Sequence, residues 1–172
     1  MKTAYIALGS NMGDRLEYLK QALAMLSAEK KISLQAVSAV YETAPVGGPE
    51  QGSYLNACSV LVTDFTPVLL LHKLLETEEL VGRVREERWG PRVIDLDLLI
   101  YNKVMMNTPL LELPHPRLVS RDFVLVPLAD IAPDLLITGQ GITVREILAA
   151  RKPASDVKLF LAPSWHIGKT GN

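Results

Sequence analysis

The run Arg92-Val93-Ile94-Asp95-Leu96-Asp97-Leu98-Leu99-Ile100 sets two carboxylates into an otherwise apolar stretch. On a strand, residues two apart point to one side, so Asp95 and Asp97 share a face and Ile94, Leu96 and Leu98 take the other. Carboxylates so placed repel each other and lose hydration, a cost that a cation between them removes. Hard oxygen donors without His or Cys suit Mg²⁺. Taken alone, the pair fits equally well two acids facing water on an open sheet. Immediately upstream, Arg83, Arg85, Arg88 and Arg92 fall within ten positions, interrupted by Glu86, Glu87, Trp89 and Gly90-Pro91. Guanidinium groups grip phosphate in a fork geometry and stay charged at neutral pH. A solvated basic loop balanced by Glu86 and Glu87 is the bland reading. Trp89 counts against it, because an aromatic in a polar loop usually covers something. Arginines beside carboxylate-held Mg²⁺ suit phosphoryl-type transfer, where catalysis is mostly positioning and charge neutralisation.

Two other stretches invite a chemical reading. Gly9-Ser10-Asn11-Met12-Gly13 lies between a strand and a helix like a phosphate loop, but lacks the Gly-Lys-Ser/Thr ending, and a tight structural turn fits better. Tyr54 and Asn56 share one strand face; Tyr can stack on a flat ring, and Asn presents a donor and an acceptor to a heterocycle's edge. An ordinary half-buried strand explains that pair without any ligand.

These groups need elements to hold them. Tyr5 to Leu8 reads as a buried strand ending at the Gly9-Ser10-Asn11 turn. Asp14 stands at an N-cap position, and Leu16, Leu19, Leu23 and Leu26 repeat at helical spacing to about Ala28. Ile32 to Tyr41 is a strand, with Ile32, Leu34 and Ala36 alternating against Ser33, Gln35 and Val37. Thr43 to Pro49 is a loop by its prolines and glycines. Tyr54 to Val62 alternates as a strand, and Thr66-Pro67 opens a second helix that reaches about Gly82. Val93 to Tyr101 is the next strand, with a short one over Val104 to Met106. Phe123 to Ile131 reads as a short helix or turn, and Thr143-x-x-Glu146 as a capping box for a last helix. Beyond Lys152 there is little periodicity, so residues 153–172 read as a tail. The order β-α-β-β-α-β gives a ferredoxin-like α+β fold, an antiparallel sheet with helices packed on it and C-terminal additions, in one domain spanning 1–172.

Composition narrows the partners. Eighteen Lys+Arg against nineteen Asp+Glu leave a formal charge of -1, and aromatics make up 6%. Neither feature favours nucleic acid or an anionic membrane. The single cysteine, Cys58, can form no internal disulfide, which points to a reducing compartment. No secretory signal or membrane span is apparent, so a cytoplasmic location and a monomer are expected.

With these pieces in place, the chain resembles the 6-hydroxymethyl-7,8-dihydropterin pyrophosphokinases of folate biosynthesis. The resemblance rests on Ala4 to Asn11, Tyr41-Glu42-Thr43-Ala44-Pro45 and Tyr54-Leu55-Asn56-Ala57. Its most specific part is Gly82-Arg83-Val84-Arg85 through Arg88-Trp89-Gly90-Pro91-Arg92 and Ile94 to Asp97. Pro114-His115-Pro116-Arg117 and Arg121-Asp122-Phe123-Val124 complete it, from about Thr3 to Pro133. It implies transfer of the β,γ-diphosphate of ATP to the hydroxymethyl group of the reduced pterin, with AMP released. It implies two Mg²⁺ ions on Asp95 and Asp97, with Arg83 and Arg92 as catalytic phosphate-holding residues. ATP contacts are implied for Glu78, Arg85, Arg88, Trp89, Arg92, Leu98, His115 and Arg121. For the pterin it implies stacking between Tyr54 and Phe123, edge recognition by Asn56 and the Thr43-Ala44-Pro45-Val46 segment, and a seal from Trp89.

The chain departs from the family pattern in the short Glu86-Glu87 spacer, in Pro116 after His115, and in Leu110 and Glu112. All lie on the side implied for ATP. A kinase or nucleotidyltransferase for another alcohol, and a non-catalytic nucleotide sensor, are the rival readings. An RNA-binding sheet fits poorly for want of aromatics and positive charge.

Overall fold

A computed structural model describes residues 1–84, 90–152 and 154–166. Strand β1 (Lys2–Ser10) leads to α1 (Arg15–Ala28), whose first turn is closed by Asp14 Oδ1 accepting the Glu17 N–H at 3.2 Å. Then come β2 (Ile32–Val37), β3 (Val40–Thr43) and β4 (Tyr54–Thr63). Helix α2 (Pro67–Val81) is capped by Thr66, with Pro67 in its first turn, where a missing N–H costs nothing. Strand β5 (Asp95–Tyr101) follows, then the two-residue hairpin strands β6 (Met106–Asn107) and β7 (Glu112–Leu113). Helix α3 (Asp122–Ile131), α4 (Val144–Ala149) and β8 (Val157–Leu161) complete the order.

The main sheet runs β5-β1-β4-β3-β8, and all its pairings are antiparallel. β4 pairs with β3 near its start and with β2 along its later half. Helices α1 and α2 bury one face around Ile6, Leu8, Leu19, Leu26, Leu55, Leu61, Leu70, Leu74 and Leu96. Removing each such side chain from water stabilises by about 1.5–3 kcal/mol. The other face is only partly covered, by α3, α4 and a 3₁₀ turn at Leu118–Ser120, over Ala7, Cys58, Leu99 and Ile100. The end of that face carrying Asp95, Gly9, Asn56 and Thr43 opens into a cavity.

The ferredoxin-like expectation therefore holds, and five local expectations change. The strand expected over Ile32 to Tyr41 is two, broken at Ser38-Ala39. The buried Ser38 hydroxyl donates to Ala39 O at 2.7 Å and accepts the Cys58 N–H at 2.8 Å, while Asp130 Oδ2 takes the Ala39 N–H. A bulge between Leu34 and Ala36 also turns Val37 into the core, although strict alternation grouped it with Ser33 and Gln35. β5 begins at Asp95 rather than Val93. Pro91 has no N–H, and the Arg92 N–H goes to a side chain instead of a strand carbonyl, donating to Asn11 Oδ1 at 2.8 Å while Arg92 O accepts the Asn11 N–H at 3.1 Å. The short strand expected at Val104 to Met106 lies at Met106–Asn107. Finally, the tail is built into the sheet: β8 pairs with β3, and Trp165 is buried.

Helix α2 ends on Gly82, whose φ of 118° returns the chain so that the N–H groups of both Gly82 and Arg83 reach Glu78 O. Gly82→Ala is expected to destabilise by about 1–2 kcal/mol, because an L side chain is strained there. A lower urea midpoint at unchanged slope would register that loss.

Candidate active site

The strand register sets the site. Asp95 lies opposite Gly9, Gly9 opposite Asn56 and Asn56 opposite Tyr41, giving one row across four strands. A second row runs Asp97–Ala7–Cys58, and a third Tyr54–Thr43–Val157. Directly opposed residues share a face, so both aspartates stand with Tyr54, Asn56 and Thr43 on the uncovered side. With strands about 4.8 Å apart, Asp95 and Asn56 lie roughly 10 Å from each other across Gly9. The missing side chain matters: a carbon at Gly9 would come 3.2 Å from Asn56 Oδ1 and 3.6 Å from the Tyr54 ring. Gly9 is thus the floor of a cavity of about 480 Å³, whose walls include Thr43, Ala44, Val46, Tyr54, Asn56, Arg92, Asp95, Asp97, Arg121 and Phe123.

One end is a chain of alternating charges. Glu78 is almost fully buried; its Oε1 accepts the Leu96 N–H at 2.7 Å and its Oε2 meets Arg83 Nη1 at 2.6 Å. Arg83 Nη1 also reaches Asp95 Oδ1 at 2.8 Å, and Arg92 Nη1 reaches Asp95 Oδ2 at 2.8 Å. Asp97 meets only a longer contact among those described, 3.7 Å from Arg121 Nη1 to its Oδ2. Its pKa rises to about 6, first because water is excluded and then because Asp95 is close; Arg121, Arg92 and Arg83 oppose the rise. The other end is suited to a flat ring. Tyr54 and Phe123 both line the cavity, and Asn56 Nδ2 donates to Thr43 Oγ1 at 2.7 Å. Arg121 sits 5.5 Å over the Phe123 ring.

Several anticipated residues lie elsewhere. Glu78 does not line the cavity and supports Arg83 from below. The Leu98 side chain is buried among α1 and α2, so only its backbone on the edge strand β5 faces outward possibilities. His115 lines a separate crevice of about 520 Å³ with Glu112 and Pro116, while Arg117 and Arg121 reach the main cavity. Pro45 stands between Ala44 and Val46 without lining the cavity. Arg85, Arg88 and Trp89 lie outside the described residues.

Asn11 emerges from the presumed turn as a junction. Besides Arg92, it holds the far side of the 44–53 loop, with Nδ2 donating to Gln51 Oε1 at 2.8 Å and Gly52 O at 3.1 Å. Gly9, Arg117, Ser120 and Asp122 also line the cavity. Gly9, Arg117 and Asp122 stood inside quoted motifs, but nothing in their types alone marked them.

An antiparallel α+β domain that gathers arginines and paired carboxylates at one end of a ring-sized cavity is built as a polyphosphate-handling transferase. The comparisons agree. The family model for 7,8-dihydro-6-hydroxymethylpterin-pyrophosphokinase (HPPK) matches residues 5–133, and the chain belongs to this enzyme family. A 2-amino-4-hydroxy-6-hydroxymethyldihydropteridine pyrophosphokinase of Methylorubrum extorquens is 48% identical over 154 residues, covering 90% of this chain and 96% of the relative. One of Bacillus subtilis is 48% identical over 128 residues, 74% of this chain and 77% of that one. In structure, an HPPK-DHPS chain of Plasmodium falciparum matches with a TM-score of 0.70 at 15% identity over 86% of this chain, which shows the shared fold. This chain spans 43% of that longer one. Among the described residues no helix is long and apolar enough to cross a membrane.

His115 gives a pH signature. Burial first, then Arg121 and Arg117, lower its pKa from 6.5 to about 4, and its Nδ1 accepts the Arg117 N–H at 3.2 Å. A lowered folded pKa means its contribution to stability is full above about 6.5 and is lost as the pH falls toward 4. Asp97 acts in the opposite sense, its contribution fading as the pH rises from about 4 to 6. The His115 ring nitrogens, followed by NMR in the ligand-free protein, should stay neutral at pH 5.5, where an ordinary histidine is mostly protonated. His115→Gln should flatten the stability loss between pH 6.5 and 4.

Proposed function

We propose that this chain transfers the β,γ-diphosphate of ATP to the hydroxymethyl group of 6-hydroxymethyl-7,8-dihydropterin, releasing AMP, as a step of folate biosynthesis. The observation that carries it is one cavity lined by Arg92, Asp95 and Asp97 at one end, with Arg83 behind Asp95, and by Tyr54, Asn56 and Phe123 at the other. The names of the relatives supply the substrate, and the cavity lining supports roles for Thr43, Tyr54, Asn56, Arg92, Asp95, Asp97, Arg121 and Phe123.

Tyr54 and Phe123 would sandwich the pterin ring, and Asn56, steadied by Thr43, would read its polar edge. The segment from Thr43 to Val46, together with Trp89, would close over it and exclude water, which protects ATP from hydrolysis. Arg83 and Arg92 would turn from Asp95 to the transferring phosphates, with Arg83 placed for the charge that develops in the transition state. Arg85, Arg88, Arg121 and His115 would carry the rest of the nucleotide. Glu78 would serve this end through Arg83, and Leu98 through its backbone.

The residues fit Mg²⁺. Asp95 and Asp97 supply hard oxygen donors on one face, and the raised pKa of Asp97 marks a carboxylate short of positive charge. Among the described residues no group of three or more His, Cys, Asp and Glu side chains could hold a metal. Two carboxylates completed by phosphate oxygens and water are the usual protein share for Mg²⁺. When bound, two such ions would neutralise phosphate charge and favour the substrate hydroxyl as nucleophile. We read the chain as a cytoplasmic monomer acting on small molecules, without nucleic acid or membrane as partner.

The test is AMP formation from ATP, Mg²⁺ and 6-hydroxymethyl-7,8-dihydropterin, with each omitted in turn. ADP as product, or turnover without the pterin, would refute the reading. Asp97→Ala should keep its fold and lose more than about a hundredfold in turnover, the upper range for removing even an outer-shell partner of a bound metal. Gly9→Val should leave the cooperative melt intact, since β-branched residues suit strands, yet abolish pterin binding by filling the cavity floor. Fluorescence titration of the pterin against both proteins would show it.

A further inference from the structure

The segment 154–166 lies beyond the family match yet forms part of the cavity, since Asp156 and Val157 both line it. Val157 pairs directly with Thr43, the residue that steadies Asn56, so β8 enters the sheet at the ring end of the site. The placement is fixed from behind. Trp165 is 7% exposed and donates its Nε1–H to Ser38 O at 2.8 Å, packing with the core under α1 and α2. Phe160 lies 5.9 Å beneath the Arg15 guanidinium. That same guanidinium holds Glu42 Oε2 and Ser53 O, each at 2.8 Å, and so ties β8 to both ends of the loop that borders the cavity.

We propose that this C-terminal strap walls the pterin end of the site and that Asp156 is a specificity-determining residue for the heterocycle. The inference rests on the diphosphate-transfer reading above. A reduced pterin presents neighbouring N–H donors on its amide and amino edge, and a carboxylate accepts from two donors at once. A third carboxylate near the phosphates would repel them, but Asp156 is far from that end. Four strand spacings separate β5 from β8, roughly 19 Å. That exceeds twice the screening length of about 8 Å at physiological ionic strength, so Asp156 leaves ATP binding unopposed.

Pterin and ATP affinities are to be measured separately, by titration and by KM, for wild type, Asp156→Asn, Asp156→Ala and Trp165→Ala. The expected result for Asp156→Ala is pterin affinity weakened about tenfold or more, as for loss of a charged hydrogen bond, with ATP affinity within twofold of wild type. Asp156→Asn, which keeps the shape and one acceptor, should fall between. Trp165→Ala, if it folds, should weaken pterin and spare ATP; if it does not fold, the Asp156 variants decide. Unchanged pterin affinity in Asp156→Ala, or equal loss for both substrates, would overturn the proposal. A wild-type protein that makes no AMP from ATP and the pterin would instead overturn the underlying reading of function, whatever the variants do.

Discussion

Asp95 cannot be left alone beside Asp97. The two carboxylates share a face at an edge strand, and the protein meets their repulsion by closing two arginines on Asp95. Each arginine is in turn fixed. Arg83 sits on buried Glu78, and Arg92 is bound through its backbone to Asn11. Because breaking one member of a buried ion pair commonly costs 3–5 kcal/mol, the Glu78–Arg83 contact is the least exchangeable link in that chain. The consequence is a coupling. Arg83 and Arg92 can turn toward phosphate without leaving two bare carboxylates only if a cation takes their place. In the proposed reaction, nucleotide and divalent ion therefore have reason to arrive together.

The same economy of backbone explains where the ring can lie. Antiparallel pairing dictates that Asp95, Gly9 and Asn56 stand in one row, and the absent side chain in the middle turns a row of contacts into a trough. Helix α3 covers the neighbouring row at Cys58 and begins with Arg121, Asp122 and Phe123 at the rim. Phe123 consequently lines the same cavity as Tyr54 from the first turn of a helix, without any loop having to carry it. A sheet floor of this kind suits a reaction in which two substrates must be aligned.

Most of this was legible where a residue's reason is local. Asp14, Thr66-Pro67 and Thr143-x-x-Glu146 cap helices by chemistry contained within one turn, and each does so in the structure. Alternation in β4 separated Tyr54 and Asn56 from Leu55 and Ala57, and the two sets do face opposite sides. What was not legible shares another cause. Val37 turned inward because of a bulge set by pairing with β4. Glu78 and Leu98 carried an implied nucleotide role, while their side chains depend on tertiary partners, Arg83 with Leu96 in one case and the α1–α2 core in the other. Asn11 looked like a turn residue because the three partners of its four hydrogen bonds, Arg92 (twice), Gln51 and Gly52, are 40 or more positions away.

The tail shows the limit most clearly. Four of the five β8 residues are exposed, so no alternation could announce a strand; backbone pairing to β3 makes it one. Its anchor, Trp165, is buried against a carbonyl 127 positions back along the chain. A pattern learned from the chemistry of Arg83 to Asp97 has no reason to extend there, and the family match ends at residue 133. Physical continuity runs further than that resemblance, because β3 would otherwise leave a row of unpaired backbone groups beside Thr43. Covering that edge brings Asp156 and Val157 to the cavity as a direct result of the register. In this fold the strand that completes the sheet also completes the wall around the ring.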